Sequence, residues 1–320
     1  MLQVVTGRFH PTLESALVHR LTRVKAPDPL APIAIFVPSK PLADRLRTIF
    51  AVEHRLSLFN VHILTFHQLA LRLAGDVRVD HPLPRVVDEL FFEQLVRHIV
   101  HSKLTSQAPL QRIGQSSGTW GALWATIRDL KDATVDAAQA LQGLREGYFE
   151  DDDREWLGAL LSLYAAVKEA GRTLGVGTQD DLAEALIPLI PTATFLQPLK
   201  AVFYYGFYDL TQVQLSLFEA ISRAKDTTLF FPLEDDPAFG FARRFFDRYI
   251  QPLAMSDEAT IRLEQESSTV AHNHVQLTIR SVIGAEEELA ATCRTILDQI
   301  ETNGYRFDEI GVIARTLDPY

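Results

Sequence analysis

The residues from Gly7 to Glu14 have the layout of a phosphate-binding loop but lack the side chains that bind phosphate and metal. They follow a short apolar stretch and precede an amphipathic run, which is the setting of a strand, a turn and a helix. A loop of the Walker A type has glycine, four residues, glycine, lysine and then serine or threonine. Counted from Gly7, which Arg8 follows, the last three of those positions hold Thr12, Leu13 and Glu14. No lysine stands where the phosphates would lie, and a carboxylate replaces the hydroxyl that would bind magnesium.

An ordinary turn between a strand and a helix is the alternative interpretation of this loop. Pro11 suits such a turn, because the first position of a helix needs no backbone N–H. The loop alone favours the ordinary turn. A nucleotide-binding loop without its functional side chains is favoured only when other motifs along the chain also match a nucleotide-binding protein.

A second candidate site, for nucleic acid, consists of Thr65, Phe66 and His67. A hydroxyl can hold a phosphate, and an aromatic ring can stack on a base. The alternative is a capped helix start with Phe66 in the core, and the residues leave both interpretations open. Arg243 and Arg244 form a small basic face beside two phenylalanines. That face predicts either contact with phosphate or an ordinary surface.

Motifs of other enzyme classes are missing. The chain has no His-Glu-x-x-His pair of the metalloproteases and no glycine-rich dinucleotide fingerprint. We therefore expect no catalytic residue, no metal site and no cofactor in this sequence.

The composition predicts a packed, soluble protein. Hydrophobic residues make up 47% of the 320 residues and charged residues 22%, which indicates a sizeable core. The formal charge of −10 argues against strong non-specific DNA binding by the whole chain, although 31 lysines and arginines leave room for a local basic patch. With a single cysteine, no signal peptide and no long apolar run, we expect a cytoplasmic protein without a membrane partner.

Alternating strands and helices are predicted over residues 1–83. The apolar run at 32–38, bounded by prolines, is typical of a strand buried on both faces, and 61–66 is a further predicted strand. Amphipathic helices are predicted at 41–50 and 67–74. Alternation of this kind implies a parallel sheet with right-handed crossovers.

From 84 to 188 the periodicity is helical only, since apolar residues recur every three or four positions. This pattern predicts an all-helical insertion. The α/β pattern resumes over 189–255, with strands at 199–205 and 227–232 and helices at 211–223 and 237–249.

A polar linker is predicted at 256–274, and the beginning of a second α/β domain at 275–320. Within it, strands are expected at 275–282 and 310–314, with an amphipathic helix at 285–301 between them. We expect the chain to be part of a longer protein, because it stops as a new α/β unit begins.

These elements and motifs together resemble the first motor domain of UvrD-type superfamily I helicases, which carries a helical insertion before the chain returns to the sheet. Residues 65–70, Thr-Phe-His-Gln-Leu-Ala, are similar to the turn of that family that touches single-stranded DNA. Residues 202–214 lie where the family has its Walker B strand. Residues 279–315 are similar to the opening of the second motor domain.

Within that family the chain resembles the inactivated helicase half of AddB-type subunits of helicase–nuclease complexes, which implies a degenerate RecA-like P-loop NTPase fold. At the Walker B site, the metal-binding Asp corresponds to Tyr205 and the catalytic Glu to Gly206, while Asp209 remains. ATP hydrolysis depends on charge neutralisation by lysine and magnesium and on an oriented water. Both motifs have lost those groups, so the resemblance implies neither hydrolysis nor tight binding of ATP.

The function that this resemblance implies is non-catalytic. Such a module binds or guides single-stranded DNA or duplex ends and scaffolds a helicase–nuclease complex in double-strand break repair, while a motor subunit supplies ATP-driven movement. Exonuclease activity would belong to a PD-(D/E)XK domain outside these residues. Two alternatives stay open: a structural protein-interaction module without DNA contact, and a divergent P-loop ATPase.

Overall fold

The computed structural model describes residues 2–76, 82–104, 109–110, 118–146, 151–234, 236–254, 260–262 and 278–314. The chain forms two compact units, residues 1–266 and 267–320. A parallel β-sheet flanked by helices makes up the centre of the first unit.

The strands are β1 (Leu2–Gly7), β2 (Ile33–Val37), β3 (Val61–Thr65), β4 (Arg85–Val86), β5 (Val176–Gly177), β6 (Ala201–Tyr205), β7 (Thr227–Pro232) and β8 (Thr260–Arg262). The order in the main sheet is β3-β2-β6-β7-β1-β8, and every pairing is parallel.

The helices are α1 (Glu14–Lys25), α2 (Lys40–Thr48), α3 (Phe66–Asp76), α4 (Glu89–Ser102), α5 (Thr119–Asp132), α6 (Ala137–Arg145), α7 (Asp151–Leu174), α8 (Gln179–Leu186), α9 (Gln212–Ala224), α10 (Gly240–Phe245) and α11 (Ala285–Asn303). The predicted α/β fold with a parallel sheet and a helical insertion is confirmed.

Helices cover both faces of the sheet, which is why its central strands are buried and, apart from two threonines of β7, apolar. Every residue of β2, β6 and β7 is buried. Alternate residues of a strand point to opposite faces. Accordingly Tyr204 packs in the core under α3, α8 and α9, whereas Tyr205 packs in the core under α1 and α2. This arrangement is typical of all-parallel sheets.

The helical insertion has a hydrophobic core of its own, in which Phe92 and Trp124 stack with ring centroids 4.4 Å apart. One detail differs from the prediction, because β4 and β5 form a small parallel pair within the range predicted to be helical only. Two strands of two residues are too short to give a periodicity signal. The last helix of the range, α8, packs against α3 and α9 and so joins the sheet's own layer.

Two local predictions, both of strands, are wrong. Within 275–282 and 310–314, the described residues 278–282 and 310–314 are not strands, and Ile279 and Ile313 are 86% and 98% exposed. A strand needs a neighbour for its backbone hydrogen bonds, and the described residues around them supply none. The helix predicted at 237–249 is confirmed, although it consists of three consecutive segments: a 3-10 helix, α10 and a π-helix.

The stretch predicted as a linker contains β8, which pairs with β1 at the edge of the sheet. The rest of that stretch, apart from β8, and residues 275–277 and 315–320 lie outside the described residues. No helix in the part of the chain that the structure describes is long and apolar enough to cross a membrane.

Candidate functional site

The strand order places a crevice at the carboxyl ends of β2 and β6. From β2 the chain crosses to β3 on one side, and from β6 it crosses to β7 on the other side. The two connections therefore diverge and leave a gap between them. In open α/β sheets, ligands bind in such a crevice, outside the carboxyl ends of the strands.

A cleft of about 380 Å³ occupies this position, and we call it the switch-point cleft. Its size falls in the range of ligand pockets, roughly 300 to 1,000 Å³. Its polar lining comes from four helix starts and one loop: Ser39, Lys40, Thr65, His67, Gln179, Asp180, Asp209 and Gln214. Helix N-termini carry partial positive charge, and Lys40 adds a full one. The carboxylates of Asp180 and Asp209 oppose them, so the cleft has mixed charge.

Thr65 and Phe66 hold the start of α3 in place. The Thr65 hydroxyl accepts from the Gln68 N–H at 3.3 Å, and the Gln68 side chain accepts from the Thr65 N–H at 3.0 Å. The Phe66 ring lies 5.2 Å from the Phe207 ring. A capped helix start with Phe66 against the core therefore describes these two residues, although both also line the switch-point cleft.

His67 differs from its two neighbours. Its Nδ1 atom is buried and has no hydrogen-bond partner among the described residues, although the side chain lines the cleft. A buried polar atom without a partner is unfavourable and is normally satisfied by a ligand or water. His67 is the residue of the predicted trio that is best placed to bind something in the cleft.

The carboxyl of Asp180 connects the cleft to the helical insertion. Burial raises its pKa first, the nearby carboxylates of Asp132 and Asp181 raise it further, and the cations Lys131 and Arg128 oppose the rise. Lys131 Nζ lies 2.5 Å from Asp181 Oδ2. Asp180 was not predicted from the sequence, because no sequence pattern indicates that α8, the last helix of the insertion, packs at the edge of the sheet.

The lysine position of the Walker-like loop faces the core. Leu13 is fully buried under α1, and no part of it reaches the loop surface. Glu14, at the hydroxyl position, begins α1 and its Oε2 lies 3.2 Å from His10 Nδ1. The Arg8 Nε lies 3.9 Å from Glu234 Oε2. These residues serve packing and local charge pairing.

Aromatic rings fill the space between the Walker-like loop and the end of β6. The Phe9 ring lies 5.1 Å from the Tyr205 ring and 6.3 Å from the Tyr208 ring. Burial, followed by the charge of Glu14, raises the pKa of Tyr205, so its phenol stays neutral. The structure therefore brings together the two motif segments that the sequence placed almost 200 residues apart, and a phosphate would meet rings there.

The Gly206 backbone explains why this position holds no acid. Its φ is +85°, and a Cβ atom would lie 2.5 Å from the Leu42 Cδ2 atom. A side chain here would be strained at this φ, and the Leu42 side chain would have to shift to make room for it. Asp209, three residues on, is exposed and lines the switch-point cleft.

A cavity of about 300 Å³ remains beside the rings, next to His10, Glu14 and Arg45. Its basic side chains already have carboxylate partners. Arg45 pairs with Glu53, and His10 pairs with Glu14. Phosphate would have to displace these carboxylates, which makes the cavity a poor nucleotide site.

Arg243 and Arg244 lie on α10 and do not line the cleft. Arg243 Nη2 donates to the Glu234 carbonyl oxygen at 3.4 Å, while Arg244 is exposed. Phe241, on the same helix, has its ring 6.1 Å from the Tyr208 ring. The basic face is therefore next to the aromatic rings rather than next to Thr65 and His67.

Comparison with protein-family models and with curated proteins gives no match for this chain. The fold that is established is an α/β domain whose parallel sheet carries a helical insertion. Within the described residues, no group of three His, Cys, Asp or Glu side chains could hold a metal ion.

Proposed function

We propose that this chain is a helicase-like module without ATPase activity, which binds or guides DNA and scaffolds a helicase–nuclease complex in double-strand break repair. The observation that carries the proposal is that the rings of Phe9, Tyr205 and Tyr208 fill the space between the Walker-like loop and the end of β6. A sheet that keeps the positions of both motif loops, but occupies them with packed side chains, is best explained as a motor fold kept for its shape.

ATP hydrolysis needs groups that this site does not offer. Phosphoryl transfer depends on a lysine, a magnesium ion and an oriented water. Here the lysine position is the buried Leu13, and the metal-ligand position is Tyr205, whose ring packs against the Phe9 ring. Loss of all these groups removes the activity. Movement along DNA would have to come from a partner motor subunit.

DNA contact is assigned to the switch-point cleft and its rim. Lys40, Thr65 and His67 line it together with the starts of four helices, and the buried His67 Nδ1 has no hydrogen-bond partner among the described residues. Each of these groups suits a backbone phosphate. The carboxylates of Asp180 and Asp209 weaken the attraction, so we expect modest affinity that falls steeply with salt.

Two measurements test the proposal. Calorimetry with Mg-ATP should give no binding, and micromolar binding or turnover would contradict it. Filter binding of single-stranded and forked DNA over a salt series should show salt-dependent affinity, alone or with a motor partner. Lys40→Gln should weaken it, whereas the exposed Lys168→Gln on α7 should not. Binding that is absent at every salt concentration would remove the DNA role.

A structural interaction module without DNA contact is the second candidate. The mixed charge of the cleft and the formal charge of −10 favour it. It predicts the same negative result with ATP and no binding of DNA. Capture of the chain by a purified motor subunit in the absence of DNA would support it.

A further inference from the structure

Another cavity lies at the opposite edge of the sheet from the switch-point cleft, where the strands have their amino ends. It has a volume of about 440 Å³ and lies beside the starts of β1, β6 and β7 and the outer face of α1. Its polar lining consists of Gln3, Arg20, Arg23, Lys200, Asp226, Thr227 and Thr228. We call it the amino-edge cavity. None of the motif residues discussed above lines it.

Positive charge dominates the amino-edge cavity. Arg20, Arg23 and Lys200 line it, against the single carboxylate of Asp226 among the described residues. Burial, followed by the charge of Arg23, lowers the pKa of Arg20. The cations therefore repel one another, and an anion between them would relieve that repulsion.

Hydrogen bonds hold the Arg20 guanidinium over the sheet. Its Nη1 donates to the Gln3 side-chain oxygen of β1 and, at 3.3 Å, to the Thr228 hydroxyl of β7. A guanidinium has five N–H donors, so several remain. The Thr228 side chain is 6% exposed, and its hydroxyl hydrogen has no acceptor among the described residues. Fixed and unused donors thus point to an acceptor-rich anion.

We propose that the amino-edge cavity binds a phosphate group through Arg20, Arg23, Lys200 and Thr228. A planar arginine fork matches the oxygens of phosphate, and a lysine and a hydroxyl complete the set of donors. The phosphate can belong to the backbone of a nucleic acid or to a small phosphomonoester, since both present the same oxygens. The site is independent of the proposed function, because it uses neither the motif loops nor the switch-point cleft.

The test uses a double variant and a charge-matched control. Arg23→Gln with Lys200→Gln removes two exposed cations, and Arg97→Gln with Lys168→Gln removes two exposed cations elsewhere. Arg20→Lys keeps the charge but loses the fork. Thermal unfolding checks that each variant folds. Calorimetry measures the binding of inorganic phosphate, which stands for a small phosphate ligand. Fluorescence anisotropy measures the binding of a single-stranded oligonucleotide without terminal phosphates, which offers only backbone phosphates.

We expect the double variant to bind at least one of the two ligands about tenfold or more weakly, while the control binds as the wild type does. If the oligonucleotide is the ligand, the salt slope should also fall by about 1.4, that is, about 0.7 for each of the two cations that no longer meets a phosphate. Binding of phosphate without binding of DNA would support the phosphate site in the amino-edge cavity and would contradict the proposed DNA binding. The proposed phosphate site is wrong if the wild-type protein binds neither ligand, or if the variants bind as tightly as the wild type does.

Discussion

The rings of Phe9 and Tyr205 lie 5.1 Å apart and join the loop after β1 to the end of β6. The Tyr205 hydroxyl donates to the Phe9 carbonyl oxygen at 3.5 Å, the outer limit of a hydrogen bond. The ring pair is therefore the main link. It lies between the Walker-like loop and the residues that follow β6.

This link predicts a measurable coupling between the two side chains. Aromatic pairs contribute about 0.5 to 1.5 kcal/mol beyond the area that they bury. A double-mutant cycle with Phe9→Leu and Tyr205→Leu in urea unfolding should give a coupling in that range. Phe9→Leu combined with Phe218→Leu, on the other face of the sheet, should be additive. Equal coupling in both cycles would show that the rings do not act as a pair.

Gly206 should tolerate no side chain. Gly206→Ala adds strain at φ +85° and a contact 2.5 Å from Leu42 Cδ2, and we expect it to lower the free energy of unfolding by about 1 to 3 kcal/mol. Adding Leu42→Ala should remove the contact but leave the strain.

The matched control for that change is Gly158→Ala. Gly158 is in the middle of α7 with open space around its Cα, so alanine there should stabilise the protein by roughly 0.5 to 1 kcal/mol. If Gly206→Ala behaved like Gly158→Ala, the account of this position would be wrong.

A lysine in place of Leu13, the lysine position of the Walker-like loop, should not create a nucleotide site. Leu13 is fully buried, so Leu13→Lys places an ammonium in the core and should destabilise the protein by more than about 3 kcal/mol. The exposed Ser15→Lys should change stability by less than about 0.5 kcal/mol. Chemical unfolding measures both. A Leu13→Lys protein of wild-type stability that binds Mg-ATP would contradict the buried orientation.

Asp180 should make stability depend on pH. Its raised pKa means that the folded protein keeps the proton where the unfolded chain has lost it. Wild-type stability therefore falls as pH rises from the ordinary value of 3.8 through the raised pKa. Asp180→Asn stays neutral, so its stability relative to the wild type should increase over that window and then level off.

Urea unfolding between pH 3 and pH 8 measures this difference. The exposed Glu155→Gln on α7 serves as the control and should follow the wild type to within about 0.5 kcal/mol at each pH. A constant difference between Asp180→Asn and the wild type across the series would show that burial of the carboxyl has no energetic effect.

Sequence patterns predicted the sheet well because its strands are buried on both faces. The run that became β2 is apolar throughout, the run that became β7 contains two buried threonines before its apolar residues, and prolines mark the ends of both. The stretch at 310–314 is apolar and the stretch at 275–282 largely alternates apolar and polar residues, both of which indicate strands, yet their described residues are not strands. Pairing depends on a neighbouring chain, and a single apolar run carries no information about its neighbour.

The candidate site was predictable only where it is local. The spacing from Gly7 to Glu14 indicated the altered loop, and the rings of Phe9 and Tyr205 were visible as residue types. Their contact depends on the strand order and was not. Arg20 and Lys200, 180 positions apart, come together only because β6 lies near β1 in the sheet.

The most direct test of the central claim is fluorescence anisotropy of a labelled single-stranded oligonucleotide, titrated over a salt series with and without Mg-ATP. For each phosphate contact, the account predicts that the binding constant falls by about 0.7 logarithmic units per tenfold increase in salt concentration. It also predicts that the binding curves measured with and without Mg-ATP coincide. Absence of salt-dependent binding would contradict the DNA role. A shift in affinity on adding Mg-ATP would contradict the loss of the nucleotide site.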